Sequence, residues 1–201
     1  MCLALVRPRS SLLSPSSGQN EGVERKAVLA RYVELRRHTD NDGDMLTAEG
    51  VQAAGALGEL LSGGYQVIVS SGAQRATQTA ACVIAGLGER IPDGVVVEPG
   101  LRSTLEDQWR AAYRVAGVGD LRSLLTADPG LVRADSAVLA EGLKRTFDRL
   151  EDGQRALAIG HSPTNEAAVF GLTGVIVVPM GKGQGVVVVD TGDGYEVEAA
   201  E

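Results

Sequence analysis

A chain of 201 residues, 44% hydrophobic and 22% charged, has room for one domain, or one domain and a tail, with a sizeable core. A net charge of −7 and a pI of about 4.9 oppose a polyanionic partner, so nucleic acid is not expected, although a local basic pocket for one phosphate group remains compatible with that sign. The two cysteines, Cys2 and Cys82, make neither a disulfide framework nor a zinc cluster, and no apolar run approaches the roughly 20 residues of a membrane span. A reducing, cytoplasmic setting is the simplest expectation, and no membrane partner is expected.

Residues 1–27 hold Pro8, Pro15, several serines and no clear period. They are expected to form a flexible tail ahead of a domain over 28–201. Arg7 and Arg9 make a targeting peptide the alternative. A first strand is predicted over 28–37, with Val33 and Leu35 on one face and Tyr32, Glu34 and Arg36 on the other. Glu34 and Arg36 share a face and are expected to pair with each other or with a covering helix. Residues 40–44, Asp-Asn-Asp-Gly-Asp, read as a solvated turn. A calcium loop would need its glycine at the sixth position and a glutamate at the twelfth, and neither is there.

A helix should begin at Thr47, with Glu49 in its first turn, and end at Gly63-Gly64. The strand predicted next covers 65–70. Strand, helix, strand makes a βαβ unit with a parallel pair, whose strands end on one edge of the sheet. Another helix is predicted over 73–87, with Arg75 in its first turn, where free N–H groups attract anions. A buried-type strand over 94–98, helices over 105–115, 121–127 and 136–150, and a strand over 155–160 follow. Ser162 is expected to cap a further helix with Pro163 at its first position. Strands are predicted over 175–178 and 186–190, joined through the glycine turn 181–185. That turn lacks the Walker spacing, and Lys182 in it has only a weak claim to a ligand. A hairpin turn at 191–194 leads into the last strand.

The chain has only two histidines, His38 and His161. Each follows a predicted strand and precedes a predicted helix, where ligands of open α/β sheets collect. A neutral imidazole is a competent nucleophile when its other nitrogen is held as a donor. Arginines and a second imidazole in its protonated form can stabilise a transferring phosphoryl group, with no metal or other cofactor required. Either histidine alone would be read as a core residue; the joint pattern with Arg37 and Arg75 shifts the weight.

Arg37-His38-Thr39, Leu46-Thr47-Ala48-Glu49-Gly50, the run Ser70-Ser71-Gly72-Ala73-Gln74-Arg75-Ala76-Thr77-Gln78-Thr79-Ala80, and Gly160-His161 stand in that order. The set resembles the histidine phosphatase superfamily over roughly residues 30–178. The resemblance implies a phosphoglycerate-mutase-like fold, a three-layer α/β/α sandwich around a mostly parallel sheet. It implies phosphorylation of His38, and a phosphate pocket of Arg37, Arg75 and His161, with Thr39 and Ser162 beside it. The substrate would be a phosphorylated small molecule or a phosphoprotein. Thr39 stands where the motif has glycine, and is expected to narrow the pocket or alter the turn. The glutamate that follows Leu-Arg in many members is absent, because Ser103 follows Leu101-Arg102. The nearest carboxyls are Glu106 and Asp107. The expectation is a good leaving group, such as phosphohistidine or an aryl phosphate, or Glu106 recruited as acid. A non-catalytic phospho-ligand binder and a mutase-type phosphotransferase are the competing readings.

Overall fold

The computed structural model describes residues 30–200; the expected tail over 1–27 lies outside them. In chain order the elements are β1 (Arg31–Arg37), β2 (Asn41–Asp42), β3 (Met45–Leu46), α1 (Ala48–Leu60), β4 (Val67–Ser70), α2 (Gln74–Leu87), β5 (Val95–Val97), α3 (Glu106–Ala116), α4 (Leu121–Ala127), α5 (Pro129–Phe147), β6 (Arg155–Gly160), α6 (Thr164–Thr173), β7 (Gly185–Asp190) and β8 (Tyr195–Ala199). The central sheet has the order β5-β4-β6-β1-β7-β8. Neighbours from β5 to β1 run parallel, and β7 runs against both β1 and β8. The mostly parallel sheet expected from the sequence is present, with one reversed strand.

Side-chain alternation along the strands sorts the core into two layers. Val33, Leu35, Val67, Val69, Ala156 and Ala158 face one way, under Trp109, Leu124, Leu143 and Val169 of α3 to α6. Ile68, Leu157 and Ile159 face the other way, under Ala54 of α1 and Ala76, Ala80 and Val83 of α2. Helices thus cover both faces, giving the three-layer sandwich.

Glu34 and Arg36 belong to the α1/α2 face, where both are buried. Arg36 Nε donates to Glu34 Oε1 at 2.5 Å, as the pairing expectation required. The other carboxylate oxygen accepts from Tyr65 Oη at 2.5 Å and Arg155 Nη2 at 3.0 Å. Arg36 Nη1 reaches the carbonyl of Gly183 at 3.0 Å. A charged pair at the sheet centre persists because each member is hydrogen-bonded; an orphaned charge there would be costly.

Several predicted boundaries shift for identifiable reasons. α5 starts at Pro129, not at residue 136. Asp128 Oδ1 accepts from Leu131 N at 2.9 Å, so Asp128 caps α5 and Pro129 fills its first turn, while α4 ends at Ala127 as expected. Residues 175–178 are not a strand, because β7 already occupies the free edge of β1. β5 is an edge strand rather than a buried one, with Val95 and Val97 exposed. Ser162 does not cap α6: the helix begins at Thr164, with Pro163 at the cap and no side-chain cap bond. The 40–44 turn holds half of a small hairpin, β2 against β3. Among the described residues no helix is long and apolar enough to cross a membrane.

The Glu34 network is open to a direct test. Tyr65→Phe removes one buried donor and is expected to cost about 1–3 kcal/mol in urea denaturation, since the buried Glu34 carboxyl loses a hydrogen-bond partner. An unchanged midpoint would show that Arg36 and Arg155 suffice.

Candidate active site

Three parallel strands deliver the site to one edge of the sheet. In the register of β1 and β6, Arg37 lies opposite Gly160, so the next residues, His38 and His161, emerge side by side. His38 N donates to Gly160 O at 3.0 Å, and Ser71 N, just past β4, donates to Ile159 O at 3.1 Å. The two imidazole centroids are 5.1 Å apart, tilted by 58°.

The hydrogen bonds assign the His38 tautomer. Nδ1 lies 2.7 Å from the carbonyl oxygen of Thr39, which only accepts, so Nδ1 carries the hydrogen. Nε2 lies 3.2 Å from Arg75 Nε, which only donates, so Nε2 offers its lone pair. Arg75 is held from behind by Asp44, whose Oδ1 accepts from Nη1 at 2.6 Å. Asp44 Oδ2 also accepts from Gln74 N at 3.3 Å, at the start of α2. The acidic turn therefore orients an arginine. Among the described residues no group of three or more His, Cys, Asp or Glu is placed to hold a metal ion.

His161 is fixed from two directions. Its Nε2 lies 2.8 Å from Ser71 Oγ, and its backbone N donates to Asn165 Oδ1 at 3.0 Å. A Cβ on Gly160 would sit 2.1 Å from that same Asn165 oxygen, so glycine before His161 makes room for the clamp. Among the described residues its Nδ1 has no partner.

Arg37 is placed differently from Arg75. Its Nη1 donates to Met180 O at 3.0 Å, and it lines a hollow of about 510 Å³ that includes Ser162 and Pro163. Arg75 and His161 line a neighbouring cavity of about 210 Å³ together with Glu106, Ser162 and Pro163. Buried Glu166 joins the two: its Oε1 accepts from Ser162 Oγ at 2.7 Å and Met180 N at 2.6 Å. Burial pushes the Glu166 carboxyl up, against the pull of those two bonds.

Thr39 does not narrow the space between the histidines. Its hydroxyl donates to Gly50 O at 2.8 Å and its N–H to Thr79 Oγ1 at 3.2 Å, so the buried side chain points toward α1 and α2. Among the described residues no residue other than glycine has a positive φ, so threonine fits this turn without strain. Its link to the site is the carbonyl that holds His38. Glu106 does line the cavity of His161, but Arg102 takes its Oε1 through two bonds of 2.9 and 2.7 Å, and Arg110 stands 3.4 Å from Oε2. Asp107 is almost fully exposed.

Electrostatics in the site run against the overall acidity. Burial draws His38 down to about 4, and the charges of Lys182, Arg75 and Arg37 act in the same direction. Burial draws His161 down to about 3, helped by Arg75, His38 and Arg102. Both rings are neutral at pH 7 in a field of cations, so His161 is not the protonated imidazole expected from the sequence: burial outweighs any gain from its charge. Lys182, given only a weak claim from sequence, is thus part of the surroundings of His38. Asp44, Asn165 and Glu166 are site residues that the sequence does not single out, because their roles depend on which loops meet. The i, i+4 spacing of His161 and Asn165 at a helix start was the one local signal.

The model of the histidine phosphatase superfamily (branch 1) matches residues 28–175, and the chain belongs to that superfamily. Among solved structures it resembles a phosphoglycerate mutase from Bacillus anthracis (17% identity, 87% of this chain and 94% of that one, TM-score 0.59). It also resembles a mycobacterial glucosyl-3-phosphoglycerate phosphatase (17%, 85% and 98%, TM-score 0.56) and the protein histidine phosphatase SixA complexed with tungstate (21%, 84% and 96%, TM-score 0.52). These likenesses establish the phosphoglycerate-mutase-like fold. A search of curated proteins finds no match.

Because both folded-state values lie below the ordinary 6.5, the unfolded chain binds more protons as the pH drops below that value. Stability from neutral burial of the two rings is therefore complete above pH 6.5 and declines as the pH falls toward 4 and then 3. NMR of the free protein should find both imidazoles in their neutral form down to about pH 5. Midpoints near 6.5 for both would contradict the burial and the cationic surroundings described here.

Proposed function

We propose that the chain is a metal-independent phosphatase that hydrolyses a phosphomonoester or phosphohistidine through a phosphohistidine intermediate on His38. The observation that carries this reading is the His38 tautomer. Nδ1–H is tied to the Thr39 carbonyl and Nε2 carries its lone pair toward Arg75, while the second imidazole stands 5.1 Å away.

In this reading Arg75, Arg37 and His161 hold the three equatorial oxygens of the phosphoryl group and offset the charge that builds there. The Nε2 lone pair forms a P–N bond as the bond from phosphorus to the leaving group breaks, P–O in a phosphomonoester or P–N in a phosphohistidine substrate. Water then attacks phosphorus, the P–N bond breaks, phosphate departs, and His38 returns to its neutral form. Ser162 is assigned a place at the rim through Glu166, and Thr39 acts through its carbonyl. The catalytic unit is assigned to residues 28–201. Two routes serve the leaving oxygen: Glu106 recruited as acid, or a leaving group that needs none. The two bonds from Arg102 to Glu106 favour the second.

The test uses a chromogenic aryl phosphate with and without chelator. Chelator-resistant turnover should fall by about 10³-fold or more in His38→Ala, and an acid-labile phosphorylated His38 should be trapped in the parent protein. Phosphate binding without turnover would favour a non-catalytic binder, and chelator-sensitive turnover would overturn the metal-free route.

A further inference from the structure

The cavity beside His161 does not end there. It shares Trp109, Arg110 and Pro163 with an adjoining groove of about 340 Å³, completed by Tyr113, Arg114 and Leu124. The groove is floored by apolar carbon. Trp109 is buried and its indole N–H is already spent on Asp135 Oδ2 at 2.6 Å, so the ring offers only its apolar surface. Tyr113 is 51% exposed on the next turn of α3, and Arg110 and Arg114 stand at the rim. Flat rings pack against such a surface, and guanidinium groups stack over them.

A second observation comes from the chemistry of departure. Among the described residues, the one carboxyl lining the cavity is that of Glu106, and it is held in the fork of Arg102. An alkoxide leaves poorly without a proton, because its parent alcohol is about as weak an acid as water, near 15.7. A phenol has a pKa of about 10, as tyrosine does. Its oxygen can leave with the bonding electron pair as aryloxide and take a proton from water afterwards. Apolar space next to the reacting centre and the lack of a free acid point to the same kind of substrate.

We propose that the groove formed by Trp109, Tyr113, Leu124 and Pro163 is a leaving-group subsite for an aromatic alcohol, and that the substrate class is therefore aryl phosphate monoesters. This rests on the phosphatase reading above. On transfer, the P–N bond to His38 forms, the P–O bond to the aryl group breaks, and the ring departs through the groove.

The experiment uses the full chain and three substrates: phenyl phosphate, 2-naphthyl phosphate and acetyl phosphate. The two aryl esters have similar leaving groups but differ in apolar area. Acetyl phosphate has a good leaving group and no ring. A preference in kcat/KM of about tenfold or more for naphthyl over phenyl is expected. Tyr113→Ala should bring that ratio close to one, and Tyr113→Phe should restore it. Equal turnover of the two aryl esters, or a ratio that Tyr113→Ala leaves in place, overturns the subsite while His38-dependent acetyl phosphate hydrolysis still upholds the phosphatase. Loss of all three activities removes the phosphatase reading, and the subsite with it.

Discussion

The parallel pairing of β1 with β6 governs the rest of the site. With Arg37 opposite Gly160, the residues that follow are forced out of the sheet at the same height. A slip of one residue along either strand would turn its apolar set to the opposite face. It would also part the two imidazoles. The register is held by Leu35 and Ala158 on one side of the sheet, and by Glu34 with Arg36 on the other. Core packing and the geometry of the candidate site are therefore one constraint.

Around that edge the protein concentrates positive charge within an acidic chain. Arg75, Arg37 and Lys182 lie around His38, and among the described residues no carboxylate is bonded to the ring. The carboxylates that are present work at one remove. Asp44 holds Arg75 from behind, and Glu166 holds Met180, whose carbonyl takes Arg37. Such an arrangement fixes cations in place before any anion arrives, so little reorganisation remains at the moment of reaction. Burial keeps the imidazoles neutral, which is the state a nitrogen nucleophile needs.

On the far side of the cavity the chemistry changes character. Arg102 and Arg110 take up Glu106, and beyond them α3 lays Trp109 and Tyr113 along an apolar groove. Polar groups gather where the phosphoryl group would sit and apolar ones where its substituent would lie. In the proposed reading, discrimination between substrates would fall to α3 and to the proline after Ser162, because the histidine edge meets only the phosphoryl group.

Much of this was legible in the residues alone. The period-2 strands, the glycines at turns and the cap at Thr47 are local features. So is the placing of each histidine at a strand end, which brings His38 and His161 side by side with Arg75 on His38. Local rules also misled. The last predicted helix before β6 starts seven residues early, at Pro129, because Asp128 caps it, and residues 175–178 have strand composition but pair with no strand of the sheet. What no local pattern could assign was which distant partner each polar atom would meet. Thr39 turning toward Gly50, Asp44 on Arg75, Arg102 on Glu106 and Ser71 on His161 are contacts across four to ninety residues. The residue types at those positions permit many partners. Only the packing of loops onto a finished sheet selects one, because a buried polar group must be paired where the fold leaves it.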